Sequence, residues 1–451
     1  MFSQILTIAR NTFIEAIRQP IVIGLVTLCG IFQWFNTWTA GYSMGQSTSG
    51  EISADNKLML DIGLATVFGC GTLLAAFVAT SVISREIEAK TILTVVSKPI
   101  SRPAVVLGKY LGVVGCILLA TLVMFIFLLM GVRHEVMSTA ADTLDGPVIF
   151  FGFGAFFLSL ALGALGNYFY GWPFPQTVLL SLAPLQVAAY LGLLVIGKDW
   201  GFQPITTDIK PQVLTGCAAL MVAIMVLTAV AVTASTRLGQ VMTIVTCAAV
   251  FVGGLLSNHL LGARAFQNEA LGIIATAEPV DPPSREFNTA GATYRITLTD
   301  YPRQSLRPGD RLLYGPNPNG FSLASGSFGP FAGNVEAPRT MLGDGVPPAI
   351  IITEIDGAEM RIRNIGEAPV AVRRPPRRDD YIFGQPTRIN PLAAAAWAII
   401  PNMHFFWLLD PISQNRPVPA EHLGMLVAYG ATQIGAILAL GIALFQRRDV
   451  G

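Results

Sequence analysis

The chain has 451 residues, 52% of them hydrophobic and only 13% charged, with a formal net charge of +1 and a mean hydropathy of +0.57. That composition excludes an ordinary water-soluble globule and describes a chain that crosses a membrane several times. Basic residues are spread along the sequence rather than gathered into one patch, which excludes nucleic acid as a partner.

The first twenty residues place Phe2, Ile5, Leu6, Ala9, Phe13, Ala16 and Ile17 on one helical stripe, with Arg10, Glu15 and Arg18 off it. Residues 1–20 therefore read as an interfacial amphipathic helix, and the polar side running through it is unlike a cleavable signal. Pro20 ends that helix, and the apolar run from Ile21 to about Thr39 is long enough to span, with Trp34 and Trp38 at the far interface.

Further apolar runs follow near 58–83, 104–132, 147–169, 176–197, 212–234 and 240–262, and a last one from about Leu423 to Phe445. They amount to about eight transmembrane helices. Pro173, Pro175 and Pro184 interrupt the 147–197 stretch, which is either two crossings or a re-entrant hairpin. Between the second and third runs lies the charged island Ser84–Arg102, with Arg85, Lys90, Lys98 and Arg102, followed by Lys109. A segment so charged cannot lie in hydrocarbon, and its basic residues assign it to the cytoplasm. Glu86, Glu88 and Lys90 interleave with Ile87, Ile92 and Leu93 ahead of Pro99, so a short amphipathic rod against the membrane face is expected. Counting spans returns both termini to the cytoplasm, with Arg447 and Arg448 just past the last span and Arg237 in an inner turn.

Residues 263–390 break this pattern with many prolines and glycines, numerous arginines and no lysine. Short β-branched or alternating runs such as Tyr294–Leu298, Ala349–Ile355 and Met360–Ile365 predict an extracytoplasmic β-rich domain, either a sandwich or a barrel. Residues 391–420 are apolar but interrupted by Pro401, His404 and Asp410, and are expected to form outer interfacial helices. Residues 421–451 then supply the last span and a cytoplasmic tail. The whole is a polytopic α-helical membrane protein, with residues 21–262 carrying seven spans, the cytoplasmic loop 84–102 and an inserted domain, residing in the cell (inner) membrane.

The first helix ending at Pro20 and the island's Arg85-Glu86 and Glu88 are two parts of one constellation. Lys98-Pro99-Ile100-Ser101-Arg102, Gly108-Lys109-Tyr110, the turn Thr233–Gln240, Ile400-Pro401-Asn402 and Phe445–Asp449 complete it. Over its membrane part the chain thereby resembles permease subunits of type 2 ABC transporters. The resemblance implies that the island is a coupling helix docking on a separate ATP-binding subunit. Arg85, Glu86, Glu88, Lys90 and Thr91 would stand at that docking surface, with Lys98, Pro99, Ser101 and Arg102 fixing the return into the membrane. Arg10, Glu15 and Arg18 of the first helix would add contacts. It also implies a second copy of the permease, ATP and magnesium held only by the partner subunit, and transport in the export direction. The sequence departs from the family's pattern in its extra hairpin at 147–197, its large outer domain, and Lys90 where a glycine is common.

Little else points to chemistry. Cys29, Cys70, Cys116, Cys217 and Cys247 all lie in apolar runs and read as small buried hydrophobes. His134, His259, His404 and His422 lack ligand spacing, so no metal site is expected. Gly192–Asp199 approaches a phosphate-binding loop but has Asp199 where a hydroxyl is needed, and no cofactor is expected in this chain. Gly108 and Gly112 form a small-residue pair suited to helix packing. Asp379 and Asp380 beside Arg373, Arg374, Arg377 and Arg378 read as a solvated charged linker. Membrane lipid and an extracytoplasmic accessory protein complete the expected partners. Three functions fit: an ATP-driven permease, a mechanical transmitter acting on an envelope partner through the outer domain, and a non-transporting scaffold.

Overall fold

The structure, a computed structural model, describes residues 2–39, 54–88, 101–137, 143–320, 323, 349–365, 374–409, 412 and 418–446, with side chains of the 54–88 helix described from 55 to 83. The chain forms two compact units, one of Met1–Leu255 with Pro401–Gly451 and one of Leu256–Ile400.

The first unit is helical: α1 (Phe2–Ile17), α2 (Pro20–Thr39), α3 (Ala54–Glu88), α4 (Arg102–His134), α5 (Gly146–Tyr170), α6 (Phe174–Val195), α7 (Pro211–Ser235), α8 (Gln240–Ser257) and α10 (Ala420–Gln446). Among the described residues, eight helices are long and apolar enough to cross a membrane, all of these except α1. Prolines sit in the first turns of α2, α4, α5, α6 and α7, where their missing N–H costs nothing and their fixed φ favours the helix. The 147–197 stretch resolves into two separate helices of 25 and 22 residues, each above about 30 Å in length and so able to cross. Gly171, at φ 65°, ends α5 by donating its N–H to the Asn167 carbonyl, while the Trp172 N–H reaches that of Gly166. This paired closure needs the left-handed conformation glycine permits. It turns the chain straight into α6, where Val178 packs into the notch at Gly163.

α3, α4 and α7 form the centre, burying Val67, Leu74 and Val78, Val113, Ile117 and Val123, and Leu220, Ile224 and Leu227. Glycine notches set the approach of neighbours: Ile224 fills Gly71, Leu128 fills Gly63 and Val222 fills Gly430. Without a hydrophobic force between helices in lipid, such close packing is what holds a bundle together. α5 turns Phe150, Phe157, Leu162 and Leu165 outward, the surface expected where hydrocarbon replaces water.

α1 runs lengthwise beside the first half of α4. A Cβ on Gly108 would stand 2.7 Å from the Ile8 Cβ, one on Gly112 would stand 2.5 Å from the Ala9 carbonyl, and one on Gly115 would meet Phe13 at 3.2 Å. The stripe of α1 is therefore seated on a small-residue groove of α4, with Phe2 and Leu6 left exposed.

The second unit is a six-stranded antiparallel sheet built from β2 (Gly272–Pro279), β3 (Thr293–Leu298), β4 (Leu313–Gly315), β5 (Ile350–Asp356), β6 (Glu359–Asn364) and β7 (Tyr381–Phe383), in the order β4-β7-β2-β3-β6-β5. The residues leading into β4 pair with β5 at the opposite edge. Gly309 and Leu312 donate to the carbonyls of Ile352 and Ile350 at 2.7 and 2.9 Å, and Ile352 donates to Asp310 at 2.9 Å. The sheet therefore closes into a barrel, deciding between the two architectures the sequence allowed. Ile274, Tyr294, Ile296, Tyr314, Ile352, Ile362 and Ile382 fill its core. A two-stranded ribbon of β1 (Phe266–Gln267) and β8 (Arg388–Ile389) joins the barrel's two ends of chain, and α9 (Pro391–Ile399) follows.

Candidate functional site

One end of the helical unit gathers the termini of several helices through three basic residues. Arg102, the first residue of α4, donates to the carbonyls of Phe445 and Gln446 at 3.2 and 2.7 Å. Arg237, in the turn from α7 to α8, donates to the Leu444 carbonyl at 3.0 and 2.7 Å. The last carbonyls of α10 have no partner within the helix and carry the negative end of its dipole, so two guanidiniums there satisfy both hydrogen bonding and charge. Arg18 donates to Gln176 Oε1 at 2.8 Å, linking the end of α1 to the start of α6. Lys109, counted from sequence among the loop's basic residues, is instead buried and reaches the Val82 carbonyl at 3.4 Å, tying α4 to α3.

Of the residues expected at a partner-docking surface, Arg85, Glu86 and Glu88 lie on the last turns of α3, their side chains outside those described. Lys90, Thr91, Lys98 and Pro99 lie outside the described residues. Ser101 precedes α4 as its N-cap in extended conformation without a side-chain cap bond. Arg10 and Glu15 are exposed on α1, and Arg18 is exposed in the turn just after it. The structure thus brings Arg102 and Arg237 together on α10.

At the opposite ends of α4, α5 and α6 sits a site the sequence reading missed. Arg133 is 5% exposed at its side chain and lies 3.3 Å from Asp145 and 3.2 Å from Asp208. Its other nitrogens donate to the carbonyls of Leu193 and Ile196, closing the end of α6. Asp145, buried, also caps α5 by accepting from the Val148 N–H at 3.0 Å. One buried cation thus holds two carboxylates and a helix terminus, which offsets the cost of desolvating all three. In sequence, a lone arginine at the end of a span looks like a residue reaching out to water. The only available signal was that Asp145 precedes Gly-Pro, a helix-start pattern.

The neighbouring His134 is buried, with Nδ1 3.0 Å from the Glu135 carbonyl. His259 and His404 are exposed and His422 packs on Phe405, and among the described residues no cluster could hold a metal ion. The Gly192–Asp199 run is the last turn of α6 and the turn after it, not a strand leading to a helix. Asp379, Arg377 and Arg378 are exposed, as the solvated linker expected from sequence would be, but the second member of the acidic pair is not. Asp380 is buried, takes a two-pronged bond from the Arg374 guanidinium and accepts from the Arg377 N–H at 2.9 Å. The five cysteines are buried, as small apolar side chains would be.

Residues 6–166 match the family model described as ABC-2 family transporter protein. No curated protein and no solved structure matches the chain. The eight membrane-crossing helices and that match, which runs from α1 into α5, make this a multi-pass membrane protein similar over that stretch to the ABC-2 type permeases.

Proposed function

We propose that the chain is the permease subunit of an ATP-driven exporter, coupled to a separate ATP-binding subunit through the segment 84–102. The observation that carries this reading is the bonding of Arg102, where that segment re-enters the helical unit, to the last carbonyls of α10. A push on the segment would move α4 and α10 together, and Arg237 would draw the α7–α8 turn along. Motion of several helix ends by one partner is how a local binding event is converted into a change of the whole bundle.

Arg18, Arg102 and Arg237 at this end, together with Arg85, Lys90 and Lys98 in the sequence that precedes α4, support a cytoplasmic assignment for it. The N- and C-termini then lie inside and residues 263–420 outside the inner membrane. A second copy of the chain would complete the transporter. ATP and magnesium belong to the partner chain.

The test is purification of the full chain from its native membrane with whatever binds it, followed by ATPase measurement with and without Glu86→Lys. A co-purifying ATPase whose hydrolysis is disturbed by the reversal is the expected result. Recovery of the chain without any ATPase would overturn the reading. A second reading, a transmitter acting on an envelope partner, is favoured by the closed barrel with its own core. It predicts the same ATPase but a co-purifying envelope protein that is lost when the barrel is deleted.

A further inference from the structure

The coupling proposal gives no role to the α5–α6 hairpin, and protein contacts hold it only in part. α5 packs chiefly on α6, and a cavity of about 280 Å³ between α2, α4 and α5 leaves some of its inner side unpacked. Its outer side exposes Phe150, Phe157 and Leu165. Between Asp145 and Lys198 the sequence has no Asp, Glu, Lys or Arg, so the hairpin has no charge of its own to set its depth in a bilayer.

Aromatic side chains stand at both of its ends. After α6 the chain folds back on itself: Gly197 donates to the Gly201 carbonyl at 2.7 Å, Gln203 to that of Val195 at 2.9 Å, and Ile196 pairs with Phe202. Trp200 sits in this turn at φ 62°, in the left-handed region that bulky residues rarely enter. Such a conformation persists where the surroundings impose it. Here Gln203 donates to Asp208, which in turn is tied to Arg133. The turn so held displays Phe202, 92% exposed, together with exposed Trp200 and Ile205. The Trp200 ring meets Phe150 edge-on at 5.9 Å and so continues the outward surface of α5. At the hairpin's other end Tyr168, Phe169 and Tyr170 close α5 and Trp172 follows, all exposed, with Tyr170 and Trp172 stacked at 5.1 Å.

Exposed apolar patches of this kind mark a contact surface, and the contact that fits is lipid. Trp and Tyr concentrate at membrane–water boundaries, and through Phe150 the Trp200 patch is continuous with the outward face of a membrane-crossing helix. Lys198 and Asp199, exposed in the same turn, keep it out of hydrocarbon and fix its level at the headgroups. We propose that lipid holds the α5–α6 hairpin at both ends, Trp200 and Phe202 inserting at the headgroup boundary of one leaflet and Tyr168, Tyr170 and Trp172 at that of the other. Neither ATP nor a partner subunit enters this proposal, so it stands or falls separately from the coupling reading.

The test reads the emission of Trp200 and of Trp172 in the full chain reconstituted into phosphatidylcholine bilayers, each taken as the difference between the unaltered chain and Trp200→Phe or Trp172→Phe. Lipid brominated near the headgroup end of its acyl chains should remove most of both signals, while lipid brominated at the chain ends and aqueous iodide should remove little. Quenching by iodide without quenching by bromolipid would place the turns in water. Protection from all three quenchers would mean that protein covers them, and either result would overturn the proposal. A nitroxide on Phe202→Cys gives a measurement that needs neither tryptophan variant, because the native cysteines are buried. Its collisions with lipid-soluble oxygen should exceed those with a water-soluble nickel chelate, and a nitroxide on Lys198→Cys should show the opposite order. An excess of nickel collisions at position 202 would also overturn the proposal.

Discussion

Arg102 and Gln446 are separated by 344 positions in sequence and joined by a 2.7 Å hydrogen bond. The last residue of the charged loop, which is also the first of α4, therefore grips the last turn of α10. Arg102 is only partly buried and its partners are carbonyls at a helix end, so its removal should cost modest stability, about 0.5–1.5 kcal/mol. Arg102→Ala should nonetheless lower stimulation of the partner ATPase several-fold while leaving the complex assembled. Equal stimulation in variant and unaltered complex would refute the linkage.

The cation at the other end behaves differently. Arg133→Met leaves Asp145 buried without its partner, a loss of about 3–5 kcal/mol. Thermal unfolding in detergent should show a large fall in midpoint. Arg133→Met with Asp145→Asn should recover part of it, because the second change removes the stranded charge.

Seating of α1 depends on the absence of side chains on α4. Gly112→Leu would drive its side chain into the Ala9 carbonyl and Thr12, 2.5 Å from where the Cβ would begin. About 1–3 kcal/mol of overpacking strain should result. Protease should cut α1 faster in the Gly112→Leu chain than in the unaltered one, and equal cleavage would count against the seating.

In the barrel, burial pushes the Tyr314 phenol well above its ordinary value of 10. The folded state thus holds this proton more tightly than the unfolded state does. The stabilisation is complete below pH 10 and is lost as pH rises beyond it toward the folded value. Tyrosinate absorbance should show a delayed fraction on alkaline titration, and Tyr314→Phe should remove part of it. That variant also gives up the 2.6 Å bond to the Arg374 carbonyl.

Asp380→Asn breaks the two-pronged bond from Arg374, which is largely buried. A loss of about 3 kcal/mol is expected, seen as increased protease cleavage within 256–400 and unchanged cleavage of the helical unit.

The spans were legible because hydrocarbon imposes a length: no sequence can cross it without about twenty apolar residues, and Val105–Met130 or Leu423–Phe445 show this directly. Barrel closure was not, because Gly309–Leu312, which makes it, has no alternation of apolar and polar residues. Nor was the burial of Arg133 and Asp380, since a charge has the same letter in water and in a core, and only neighbours distant in sequence decide which it occupies. At the loop-side end, the basic residues were legible individually. Their shared target was not, because the carbonyls of α10 belong to the backbone and leave no mark in sequence.

Closure of the barrel has a consequence for crowding. A sheet with open edges offers unpaired N–H and C=O groups on which another copy's strand can template, and a membrane confines many copies to one plane. Here β4 and β5, which would be those edges, are joined through Gly309–Leu312. Among the described residues strand addition at those two edges is blocked, so a companion of the barrel would recognise side chains on its outer wall.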